Sequence, residues 1–152
     1  MRQILIVANQ TLGGERLMEV VRDRIARGPC TFTLVVPVVP AAGDLAVTVG
    51  AGLTIQASSP TYEAARVEAV HRLGAGLQAL SDLGATVDGD VGVQNPVEAV
   101  GQCLKLQAYD EIIVSTLPKT VSRWLHQDVP HRIRRKFEIP VAVVTAREPM
   151  AT

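Results

Sequence analysis

The chain has 152 residues, one domain's length, and its 47% hydrophobic and 20% charged residues are the balance of a soluble globular core. Fifteen basic and fifteen acidic side chains leave a formal net charge of zero, so no global field draws the chain to nucleic acid or to an anionic membrane. Aromatic residues make up only 3%, which removes the stacking platforms that hold single-stranded bases, and no apolar run approaches the roughly 18 to 20 residues of a membrane helix.

The first element is a short apolar strand over residues 3–8 (QILIVA), standing where a signal peptide would carry its hydrophobic region. Gly13 and Gly14 turn the chain into a helix with Leu17, Val20, Val21 and Ile25 on one face, and Gly28-Pro29 ends it. Residues 31–36 (TFTLVV) form a second strand, stopped by Pro37 and Pro40. Residues 41–58 have several glycines and no clean period, which predicts a long surface loop or mobile lid. Ser59-Pro60 reads as a cap and first-turn proline opening the longest helix, with Val70, Leu73, Leu77 and Leu80 as its buried stripe and Gly84 at its end.

Residues 85–92 (ATVDGDVG) alternate weakly, as a strand near a sheet edge does. Asn95 to Glu98 has the pattern of a capping box, leading into a helix with Val97, Val100 and Leu104 inward. A fourth strand follows at 111–114 (EIIV). Asp128 is placed to cap a last helix whose Leu125, Val129, Ile133 and Phe137 recur at four-residue steps, and Pro140 precedes a fifth strand, VAVVT.

Alternation of strands and helices predicts a single α/β domain over residues 1–152. It is a doubly wound three-layer sandwich, a five-stranded parallel sheet of order 3-2-1-4-5 with helices on both faces. Ligands on such sheets bind beyond the carboxyl ends of the strands, where strand order reverses, here between strands one and four. That puts Ala8, Asn9, Gln10 and Thr11 opposite Ser115, Thr116, Leu117 and Pro118, with Val38 just past the second strand.

ILIVANQT (4–11), VQNPVEAV (93–100), YDEIIVST (109–116) and EIPVAVV (138–144) together resemble the universal stress protein family along nearly the whole chain. The resemblance implies a stress-associated binding or regulatory protein with a ligand of the ATP or AMP kind and magnesium, while the residues themselves suggest a cytoplasmic chain without catalysis. The family's phosphate-binding motif is G-x2-G-x9-G-[ST]. Ser115 and Pro118 fall at its first two glycines and Asp128-Val129 at its last pair, while Asn9 stands where the family has aspartate.

Those glycines let backbone N–H groups approach phosphates, and the last pair meets them at a helix N-terminus. A phosphate about 4 Å from the Asp128 carboxylate would instead be repelled by roughly 4 kcal/mol at an effective dielectric near 20. Lys119, Arg123 or Mg²⁺ would offset that. The expectation is therefore a degenerate nucleotide site that disfavours ATP. The alternative is a working adenine-nucleotide or small phosphorylated-ligand site at Asn9, Thr11, Ser115, Thr116 and Arg123. A third reading is a small hydrolase or transferase using Ser115 or Thr116, although no G-x-S-x-G elbow or P-loop occurs.

Cys30 and Cys103 form no metal-like spacing, and His126 and His131 are five apart rather than on one helical face, so no metal site is expected. The HRIRRK run at 131–136 is read as cations favoured at a helix C-terminus, with a phosphate patch as the alternative. The uncharged VAVVT edge predicts a homodimer joined through the fifth strand.

Overall fold

Apolar strands set the architecture of this chain, whose computed structural model describes residues 1–8, 14–38, 47–49, 53–55, 58–116, 124 and 128–145. Strands β1 (Arg2–Ala8), β2 (Cys30–Pro37), β5 (Thr86–Gly92), β6 (Glu111–Thr116) and β7 (Val141–Thr145) form one sheet of order β5-β2-β1-β6-β7. Every pair in it is parallel. Counted along the chain, this is the expected 3-2-1-4-5 order. Central strands of a parallel sheet are covered on both faces, so they read as continuous apolar runs. β1 and β6 accordingly bury Ile4 to Ala8 and Ile112 to Val114 completely.

Alternate side chains along the strands build two cores. On one face Ile4, Ile6, Phe32, Leu34 and Ile113 meet Leu17, Met18 and Val21 of α1 (Glu15–Arg27) and Ala69 and Leu80 of α2 (Ser58–Asp82). On the other, Leu5, Val7, Ile112 and Val114 meet Val97, Ala99 and Val100 of α3 (Pro96–Leu106) and Val129 and Ile133 of α4 (Val129–Phe137). Each of the larger side chains among them contributes roughly 1.5–3 kcal/mol on burial. Two helices per face make the three layers.

Local signals set the element ends. Asn95 accepts hydrogen bonds from the amides of Val97 and Glu98, which satisfies two donors of the first turn of α3. Past α2, Gly84 holds φ +88°, a conformation that strains residues with a Cβ. Gly89 of β5 is needed for a different reason: a Cβ there would lie 2.3 Å from the Leu34 carbonyl oxygen of the neighbouring strand.

Three expectations are corrected. Residues 41–58 contain a hairpin, β3 (Val47–Val49) paired antiparallel with β4 (Leu53–Ile55), because V-T-V and L-T-I alternate around Gly50-Ala51-Gly52. The long helix begins at Ser58, and Val70 is 47% exposed while Ala69 takes the inward position. Ala69 and Leu80 lie eleven residues, about three turns, apart and so face the same way, while Val70 is turned roughly 100° from Ala69. The fourth strand runs two residues further than expected, to Thr116.

At the amino end of the sheet, opposite the crevice, Arg24 of α1 donates from Nε and Nη2 to Oε1 and Oε2 of Glu111, both at 2.8 Å. Arg2 Nη2 lies 3.8 Å from the same carboxylate. The bond to Glu111 raises the pKa of the Arg24 guanidinium, against the burial that lowers it. Burial pushes the Cys30, Cys103 and Tyr109 groups up, a side-chain hydrogen bond between Tyr109 and Thr33 partly opposing it at Tyr109. Both cysteines are free.

Candidate functional site

Strand order reverses between β1 and β6, and there the two carboxyl ends meet: Ala8 is the direct register partner of Ser115. On the other flank of β1, the Val38 amide donates to the Gly92 carbonyl at 3.1 Å, which fixes the end of β2 against β5. Ala8 and Val38 share one core cluster, so the floor of the crevice is apolar.

Ser115 and Thr116 are strand residues, not loop residues, and each is only 2% exposed. Because side chains alternate across a strand, they leave on opposite faces. Ser115 follows its partner Ala8 toward α1 and α2, and Thr116 follows Val114 toward α3 and α4. The expected single notch lined by both hydroxyls is thereby corrected to one hydroxyl on each face. Among the described residues no buried side-chain polar atom lacks a hydrogen-bond partner, so these hydroxyls are already satisfied.

Val129 is buried against the sheet at the start of α4, and Asp128 precedes it, exposed, with φ 56° and ψ 36°. Asp128 occupies the cap position, but its side chain makes no capping bond, contrary to the sequence expectation. Capping needs an extended backbone, and a left-handed residue aims its side chain elsewhere. Left-handed geometry is where glycine is at home, and aspartate tolerates it better than most residues. Pro130 then removes one N–H from the first turn of α4. The helix end is thus poorer in donors for an anion than an ordinary N-terminus.

Of the remaining candidates, Asn9, Thr11, Pro118, Lys119 and Arg123 lie outside the described residues. Reasoning from sequence missed the left-handed turn at Asp128 and the missing donor at Pro130. The signal for both was present in Asp-Val-Pro, an acid at a glycine position followed by a first-turn proline.

Three solved structures share this fold at low identity. A universal stress protein from Archaeoglobus fulgidus is 14% identical, with a TM-score of 0.55 over 95% of this chain and 93% of that one. An Arabidopsis thaliana universal stress protein family protein with AMP bound is 15% identical, with a TM-score of 0.59 over 97% and 93%. A universal stress protein in complex with cAMP is 15% identical, with a TM-score of 0.53 over 96% and 98%. This chain has the universal stress protein fold. No family model matches the sequence, and no curated protein matches it. The universal stress protein likeness therefore rests on architecture, and what the crevice binds must be argued from its own residues.

Proposed function

We propose that the protein is a non-catalytic, stress-associated regulatory protein of the universal stress type. Its crevice takes an adenine nucleotide with one phosphate, AMP or cyclic AMP, in preference to ATP. The observation that supports this reading is the left-handed Asp128 at the head of α4, the helix that follows β6 in the chain, with its carboxylate exposed and unengaged by the helix. A carboxylate there repels a polyphosphate tail, and Pro130 withdraws a donor that would hold it. The base and ribose are spared that penalty, and the reversal of strand order between β1 and β6 is where such a ligand would sit. Two solved proteins of this fold carry AMP and cAMP.

Melting in the presence of AMP, cyclic AMP, ADP and ATP with Mg²⁺ tests the reading. Ligand at about 100 times its dissociation constant adds ~2.7 kcal/mol, or ~5–10 °C for a chain of this length. AMP or cyclic AMP should give that shift at concentrations where ATP gives little. No shift with any of the four removes the reading, and an equal shift with ATP removes the preference.

The protein is further proposed to work in the cytoplasm, as free thiols suit, and as a homodimer through β7. β7 forms one edge of the sheet, carries no charge, and leaves Val143 46% exposed. An uncharged apolar edge readily pairs with another strand. Light scattering at micromolar concentration should give twice the chain mass, and Val143→Glu should return it to the monomer. A monomeric native protein overturns this assembly.

A further inference from the structure

We infer that the outer face of α4 is a docking surface for a short acidic segment of another protein. Val129, Pro130 and Ile133 of this helix point into the core, and Phe137 packs partly against it. Every residue on its solvent side is basic: His131, Arg132, Arg134, Arg135 and Lys136 are all exposed. Among the described residues, none of the four Arg and Lys side chains has a carboxylate within ion-pair distance. Lys136 lies over the Phe137 ring, 5.6 Å from its centroid.

Helix stability explains part of this pattern and fails for the rest. Arg134, Arg135 and Lys136 stand in the last turn, where the helix dipole favours cations. Arg132 stands in the first turn, where cations are disfavoured. Arg132 also lies three and four residues from Arg135 and Lys136, spacings at which like charges destabilise a helix. A cation kept where it weakens its own helix points to a use outside the fold.

Charge distribution selects the class of partner. From residue 112 to residue 137 the chain has six Lys and Arg and a single acid, Asp128, whereas the rest of the chain has fourteen acids and nine bases. The positive patch is finite. α4 has nine residues, so the patch, confined to residues 131–136, spans no more than roughly 13 Å at 1.5 Å per residue, and the screening length at physiological salt is about 8 Å. A long nucleic acid or a membrane plane would extend beyond so short a patch, and the remainder of the chain carries a net negative charge. An extended acidic peptide covers the same length with about four residues.

The test is fluorescence anisotropy of a labelled hexaglutamate peptide, at low salt and at 150 mM. Arg132→Glu and the pair Arg132→Gln/Arg135→Gln should each weaken binding at least tenfold. Arg16→Gln/Arg22→Gln, an equal charge change at exposed positions of α1, should alter it less than twofold. Arg132→Glu should at the same time raise the melting temperature by about 2 °C, which separates lost binding from lost folding. The inference is overturned by equal weakening in the α1 and α4 variants, by a fall in melting temperature for Arg132→Glu, or by no peptide binding. It is also overturned if single-stranded oligonucleotides or phosphatidylserine vesicles bind more tightly than the peptide at equal charge.

Discussion

Arg24→Ala is expected to lower the unfolding free energy by about 3 kcal/mol or more, read as a shift of the urea midpoint and a loss of roughly 6–12 °C in melting temperature. Arg24 holds both oxygens of Glu111 in a fork, and the two side chains are only 14% and 10% exposed. Removing the guanidinium strands a carboxylate at the amino end of the central strand β6, with only Arg2, at 3.8 Å, left nearby. A buried charge without its partner is far more costly than no pair at all. The double replacement Arg24→Met/Glu111→Leu should therefore recover most of the loss, because it leaves no charge to strand. A single-variant effect below about 1 kcal/mol would show that this pair does not anchor α1 to the sheet.

Asp128→Gly should raise the affinity for ATP by roughly ten- to a hundredfold while changing that for AMP much less. A carboxylate about 4 Å from a phosphate repels it by roughly 1 kcal/mol in bulk water and 4 kcal/mol at an effective dielectric near 20. Asp128 is exposed, so solvent screening keeps the effect toward the lower end of that range. Glycine also accepts φ 56° without strain, so stability should be kept or improved. Titration by calorimetry checks both ligands on the native protein and the variant. An unchanged ratio of AMP to ATP affinity would show that Asp128 does not select the ligand.

Much of the fold was readable because parallel strands and amphipathic helices have different periods. ILIV at β1 and EIIV at β6 announce buried central strands, and TVDGDVG at β5 announces an edge. Asn95 could be read as a cap because its side-chain chemistry is local. The hairpin at β3 and β4 was obscured because two three-residue strands give too few alternations beside so many glycines. The position of the crevice followed from topology alone. Its chemistry did not: a strand longer by two residues turns Ser115 and Thr116 from neighbours in a loop into residues of opposite faces. Arg24 and Glu111, 87 positions apart, carry no local signature, and their pairing exists only once the sheet has formed.

The two rims of the sheet are unlike, since β5 presents exposed Asp88 and Asp90 while β7 has no charged residue. Like charges facing each other across a strand junction repel, so β5 is guarded against addition and β7 is not. Two copies meeting along β7 would bury both bare rims and leave aspartates at each outer margin. Such an association would close on itself after one step, and the same asymmetry would deny the protein a route to fibrils.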